Sequence, residues 1–198
     1  MGPLGMTDAQ KTGERTRASA GKRAMAACLL LALAACAEPV PAPDGGFALE
    51  AFFDGANVSE GEVDTLWVFT EAITADFAGE AASGRLALDE TFHLEQGDRL
   101  QRWALTATPD GRYAGTVETA GKDGSLRPPV PVTGYRTADG AVLNYDGYAP
   151  GGGDMLLHFR HWMRQQADGT VLNQVRISKF GLPIAGARVV FSKLPPTG

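Results

Sequence analysis

The 198-residue chain has only two cysteines, Cys28 and Cys36, both near its start. Past Cys36 there is no thiol, which excludes disulfides, a cysteine nucleophile and a cysteine-bound metal from everything that follows. Histidine is scarce as well, with three in all. No GxSxG, GxGxxG, P-loop or HExxH pattern occurs anywhere, so no recognisable nucleophile elbow, phosphate cradle or zinc helix is written into the chain. Long apolar runs are missing too: the uncharged run from Ala24 to Ala35 is 12 residues, well short of the ~20 that cross a bilayer as a helix. Positive charge is sparse. Without Met1 to Ala35 the remainder holds 13 basic against 21 acidic residues, a net charge of −8. That excludes nucleic acid as an expected partner, because phosphate backbones demand the opposite sign.

What is present at the start is a processing signal. Lys22 and Arg23 precede the short apolar run, which has the shape of a signal-peptide core. Leu33-Ala34-Ala35-Cys36 resembles the bacterial lipobox, in which the cysteine is lipidated and the chain is cut before it. The expected organisation is a signal peptide over 1–35, with an over-extended start and Met6 as a candidate initiator. The lipidated Cys36 and a Pro/Ala-rich linker then fill 36–46, with a β domain over 47–194 and a tail over 195–198. Each buried methylene adds about 0.8 kcal/mol, so two or three acyl chains make a stable anchor. Ala37, where an aspartate would mean retention, resembles an outer-membrane address. The expected location is the bacterial cell envelope, on the periplasmic face of the outer membrane, with the membrane as partner through the N-terminal lipid. Three prolines and two glycines between Ala37 and Gly46 read as a stiff, extended spacer.

The domain reads as all-β. Runs of period two are separated by Gly- and Asp-containing turns at intervals of about ten residues. Leu86, Leu88, Phe92 and Leu94 share one strand face, and Gln96-Gly97-Asp98-Arg99 reads as a type II′ hairpin placing Phe92 opposite Trp103, Glu90 opposite Leu105 and Leu88 opposite Ala107. Thr108-Pro109-Asp110-Gly111 reads as a type I turn with a G1 bulge, placing Trp103 opposite Val117 and Ala107 opposite Tyr113. From the turn at Ala167-Asp168-Gly169, Met163 falls opposite Asn173, His161 opposite Val175 and Phe159 opposite Ile177. Strands are also expected over Val63 to Thr70, Ile73 to Phe77 and Ala187 to Phe191, with a short helix within Phe47 to Phe53. About ten short hairpin-linked strands, without room for crossover helices, favour a closed antiparallel up-and-down barrel of lipocalin-like topology, since closure removes exposed edges. Pro128, Pro129 and Pro131 argue against a strand in Gly121 to Pro131. Gly151 to Gly153 read as a mobile tip, with plain flexible linkage favoured over an anion cradle because no helix amino terminus follows them.

Glu90, His161, Asn173 and Lys179 interrupt otherwise apolar faces. The functional reading makes them polar anchors for a lipid-like ligand whose tail contacts Phe92, Trp103, Leu105 and Phe159; the plainer reading makes them one satisfied internal network. A scaffold acting through an outer patch around Trp162 is the second function considered, and a hydrolase using Glu90 and His161 the third. No cofactor is expected. His158 and His161 lie three apart on a strand and so on opposite faces, which gives a metal no shared site.

The order of FFDG (Phe52 to Gly55), LDETFHLEQG (Leu88 to Gly97), Arg102-Trp103, GRYAGT (Gly111 to Thr116), HWM (His161 to Met163) and LNQVRISKFGLPI (Leu172 to Ile184) resembles a family of proteobacterial lipoproteins of unknown function. The resemblance covers nearly the whole β domain and implies location and fold, with no catalytic residues. Where that family commonly carries an acidic pair before Trp-Met, this chain has Arg160-His161. The likeness to lipocalins is one of topology, because the Gly-x-Trp signature is absent, Gly61 and Trp67 standing six apart.

Overall fold

The computed structural model describes residues 38–66 and 68–194. The expected signal segment, Cys36, Trp67 and the tail after Leu194 lie outside them. The first element among the described residues is a one-turn helix, α1 (Leu49–Phe52), and ten strands follow it. These are β1 (Gly55–Thr65), β2 (Phe69–Ala82), β3 (Arg85–Leu94), β4 (Gly97–Ala107), β5 (Arg112–Thr119), β6 (Val130–Arg136), β7 (Gly140–Gly147), β8 (Leu157–Gln165), β9 (Val171–Lys179) and β10 (Leu182–Lys193). Each strand pairs antiparallel with the next, and β1 pairs with β10, so the sheet is a closed up-and-down barrel. The expected fold class is the observed one.

Two of the three hairpin registers read from turn chemistry hold. Trp103 faces Val117 and Ala107 faces Tyr113, and Met163, His161 and Phe159 face Asn173, Val175 and Ile177. The β3–β4 hairpin differs. Its central residues are Glu95 and Gln96, and Gly97 takes φ +97 just after them, so Phe92 faces Arg99, Glu90 faces Gln101 and Leu88 faces Trp103. This four-residue displacement sets Leu86 against Leu105 and Leu88 against Trp103, apolar on apolar, and Glu90 against an amide. An even displacement leaves every side chain on its expected face, so the core survives the error.

Four other expectations change. Val63 to Thr70 is not one strand: the chain turns at Leu66, with φ +50, and the apolar residues around it mask the turn. Pro131 lies inside β6, where it pairs with Thr116 of β5 while the β7 ladder begins only at Val132, so its missing N–H breaks no bond. The glycine tip is fastened: the Gly151 N–H donates to Ala120 O and the Gly152 N–H to Ala149 O. The segment read as a spacer is itself laid on the barrel, with the Ala42 N–H donating to Arg136 O, the Gly46 N–H to Ala138 O and the Tyr135 hydroxyl to Pro39 O.

One end of the barrel is plugged by α1. Four residues do not make a stable helix by propensity; burial of Leu49 and Phe52 holds this one, and the Tyr113 hydroxyl accepts the Leu49 N–H at 3.2 Å. Phe53 packs edge-on against Phe52 and Phe191 and tilted against Phe77, with centroids 5.0, 5.3 and 5.4 Å away. This explains the FFDG motif: two rings fill the barrel end, Asp54 accepts the Ala81 N–H at 3.0 Å, and Gly55 turns into β1 at φ +92. Gly79 is the complement, because a Cβ there would lie 1.9 Å from Phe53 O. Removing the ring in Phe53→Ala takes a buried aromatic from a site walled by two strands, and urea denaturation is expected to show a loss of about 3–5 kcal/mol, whereas Phe69→Ala, on an exposed ring, changes stability little.

Candidate functional site

The inward faces of β3, β4, β7, β8 and β9 meet halfway along the barrel in a layer of polar and aromatic side chains. The Trp103 indole N–H donates to Glu90 Oε2 at 3.0 Å. Edge-on, Trp103 also meets Tyr145 and His161, at 5.4 and 6.0 Å between centroids. His161 stacks on Tyr145, which stacks in turn on Phe159 at 4.9 Å. Asn173 Nδ2 lies 3.2 Å from His161 Nδ1, and His161 Nε2 lies 3.4 Å from the Tyr145 hydroxyl. An amide N–H donating to Nδ1 fixes the tautomer with its proton on Nε2. A second buried pair, the Gln101 amide donating to Thr119 Oγ1 at 2.8 Å, extends the layer towards β5.

The layer is built to be neutral. Burial pushes the Glu90 carboxyl up to about 8, only partly offset by the Trp103 N–H, so it is protonated at neutral pH. Burial also drives His161 down to about 4, against the opposing effect of Asn173, so the ring is uncharged. The Tyr145 hydroxyl is raised by burial first and by Glu90 second. Each group avoids the desolvation of a charge by giving the charge up.

Of the residues singled out in the sequence, Glu90, Trp103, Leu105, His161 and Asn173 all line one internal cavity of about 40 Å³. That is room for a water or two, not for an acyl chain. Phe159 borders the layer through Tyr145, while Phe92 is half-buried towards the barrel's other end. Lys179 stands apart at that end, its Nζ donating to Leu156 O. The two groups a hydrolase would pair are bonded elsewhere, Glu90 to Trp103 and His161 to Tyr145 and Asn173. His158 is outside the barrel beside Asp146, at 2.9 Å. Sequence reasoning missed Tyr145, Gln101 and Thr119. The alternation Ala141, Leu143, Tyr145, Gly147 marks Tyr145 as inward, whereas Gln101 and Thr119 show only once β4 and β5 are in register.

Beyond this layer lies the mouth. Ile73, Phe92, Leu157, Val175 and Ile177 face the lumen there, partly buried and packed against the core. A larger concavity of about 520 Å³ runs over the outside of β1 to β5, floored by Ala56, Ala78, Ala87 and Ala104 and crossed by the Asp89–Arg102 ion pair at 2.9 Å. Trp162, the centre of the expected outer patch, is half-buried with the Arg164 guanidinium 4.8 Å over its ring.

The two shifted groups set a pH dependence. Between about 4.5 and 6.5 the unfolded chain has lost the Glu90 proton and gained one at His161, so both states bind equal numbers and stability is flat. Above 6.5 the folded chain holds one proton more, and stability falls until the pH passes about 8. Below 4.5 the unfolded chain holds one more, and stability falls towards about 4. Glu90→Gln keeps an acceptor for Trp103 and removes the alkaline arm. Urea midpoints at about pH 5.5 and pH 8 are expected to fall with pH in the wild type and not in the variant, which gains on the order of a few kcal/mol at the higher pH.

None of the curated proteins compared with this chain matches it. The family comparison does: residues 26–193 match one family across the segment before the barrel and all ten strands. The chain belongs to DUF3833, a family described as proteins of unknown function.

Proposed function

We propose that this protein is a lipid-anchored component of the bacterial envelope whose barrel takes an apolar, lipid-like molecule at its mouth. The observation that carries the reading is the division of the lumen into three zones. Aromatic rings close one end, the neutral layer around Glu90 forms a floor, and above it the wall is apolar and only partly buried at Ile73, Phe92, Val175 and Ile177. A neutral floor under an apolar cup suits a hydrocarbon tail, which a charged floor would repel.

The ligand then sits higher than the polar anchors alone suggest. With about 40 Å³ around Glu90, His161 and Asn173, the tail stops at Phe92 and Phe159 rather than reaching Trp103 and Leu105. Lys179, at the rim, is the cation placed to meet a polar head group. The anchor at Cys36 keeps such a protein where lipids are handled. Native mass spectrometry with lipid extraction, on protein purified from a bacterial envelope and transferred out of detergent, is the test. A co-purifying amphiphile, lost in Phe92→Asp and weakened in Lys179→Ala, is the expected result. Protein that is free of lipid, and stays so when offered fatty acids and phospholipids, would remove the ligand from this account.

A further inference from the structure

Large apolar side chains are exposed at nine described positions, and seven of them cluster at the mouth: Leu66, Val68 and Phe69 at the β1–β2 turn, Met155 and Leu156 before β8, and Phe180 and Leu182 at the β9–β10 turn. The three tips adjoin. The Leu66 N–H donates to Ile184 O of β10, and Lys179 of β9 reaches Leu156 O. The rest of the mouth is polar, with Glu95 and Gln96 at one turn and Lys122 to Ser125 in the β5–β6 loop. The apolar groups therefore form one sector of the rim, over β8, β9, β10, β1 and β2.

Two of these residues sit where local chemistry disfavours them. Phe180 and Gly181 are the central residues of a two-residue hairpin, at φ +53 and +77, the left-handed pair of a type I′ turn. Asn-Gly is the favoured sequence for that geometry, and a bulky ring there is an outlier. Leu66 is left-handed too, at φ +50. The barrel contains its own control. At the plugged end the same geometry recurs at Ser83-Gly84, φ +51 and +74, with a small polar residue in the position that Phe180 fills. Phe180 is 93% exposed and its ring meets the Lys179 ammonium at 4.9 Å, so core packing does not explain it. A residue that neither the turn nor the core asks for, projecting at the mouth beside two similar tips, is there for contact with something else.

The geometry points to a lipid surface as that partner: the rim sector dips its side chains into a bilayer and sets the mouth against it. This rests on the reading of the mouth as a lipid-like ligand's site, because such a ligand has almost no free concentration in water and must pass from a lipid phase. Three observations select lipid over protein. The tips are separate protrusions: the β1–β2 turn is held by Leu66 N–H to Ile184 O and Val68 N–H to Thr65 O, the β9–β10 turn by the Lys179–Leu182 pair, and Leu156 by the Lys179 ammonium on its carbonyl, rather than a flat face with unpaired edges. The sector is continuous with the apolar lumen wall through Leu157 and Ile177. Its nearest charges are Asp64, Glu71, Asp154, which is ion-paired with Arg127, and the cation Lys179, so acidic groups outnumber basic ones and what it meets is a zwitterionic bilayer rather than an anionic one. The tether permits it. Cys36 and Phe47 are eleven residues apart. Extended, that segment reaches about 36–40 Å once Pro39 to Gly46 leave the barrel wall and give up the Ala42–Arg136, Gly46–Ala138 and Tyr135–Pro39 hydrogen bonds, against a barrel height of roughly 25 Å for tilted ten-residue strands.

The full chain with Cys28→Ser and Cys36→Ser has no other thiol, so a polarity-sensitive fluorophore can be placed singly by Phe180→Cys, Val68→Cys or, at the plugged end, Ser83→Cys. Each protein is mixed with phosphatidylcholine vesicles carrying a nitroxide lipid quencher. The expected result is a blue shift and strong quenching at 180 and 68, unchanged by salt, with neither at 83. In the Val68→Cys protein, adding Phe180→Asn and Leu66→Asn is expected to weaken vesicle contact about tenfold or more while leaving the melting temperature equal or higher, since asparagine suits both backbones. Quenching confined to position 83, or absent at all three, overturns the rim. So does concentration-dependent dimerisation lost in the same double variant without vesicle contact, which would make a second copy the occupant. If lipid still co-purifies with wild-type protein by native mass spectrometry when the vesicle assay fails, the rim alone is lost; if neither is found, the ligand reading falls with it.

Discussion

Asn57 to Thr65 pair with Lys193 to Ala185 over nine residue pairs, and this ladder joins the first strand to the last. In an open meander of ten strands, β1 and β10 would each present a row of unpaired N–H and C=O groups to any other chain. Closure uses those groups and gives the sheet an inside. It also explains why a barrel that contains no cysteine and, among the described residues, has one four-residue helix holds a core: every inward residue has neighbours on two sides and across the lumen. The single irregularity in β10, between Pro183 and Ala185, lies at the mouth, where the ladder can bend without opening the packed half.

Within that closed wall the contents are graded along the axis. Phe47, Leu49, Phe52 and Phe53 enter from one end and meet Phe77 and Phe191, so the plugged half is packed as a core. The middle holds Glu90, Trp103, Tyr145, His161 and Asn173. Every ionisable group among them is in its neutral form at neutral pH, and the hydrogen bonds run from indole to carboxyl, from amide to imidazole and from imidazole to phenol. Such a layer is stabilised by the bonds its members make to one another, and its one buried acceptor without a partner among these residues is Asn173 Oδ1. The layer contributes specificity of arrangement more than net stabilisation, and it separates the packed half from the mouth. The side chains that remain partly or wholly exposed are those at the mouth and its rim.

The sequence by itself determined a good deal here. Alternation of apolar residues marked which face of each strand points inward, because side chains in a strand alternate strictly, and the Asp-Gly turns at Asp110-Gly111 and Asp168-Gly169 set two registers correctly. Turn chemistry acts between neighbours in the chain, so it can be read without the fold. Glu90, His161 and Asn173 stood out as polar residues on apolar faces for the same reason. Tertiary structure decided the rest. The β3–β4 register was settled by Leu86 and Leu88 finding Leu105 and Trp103, a packing choice between two turns that both use Gly97. How close five strands bring the polar residues together, and how little volume remains around them, likewise depends on the closed barrel. Leu66, Phe180 and Met155 are unremarkable in sequence, since lone apolar residues are common on surfaces. Only closure of the barrel sets their three turns side by side, because β1 and β10 become neighbours through a contact between opposite ends of the domain that no local pattern encodes.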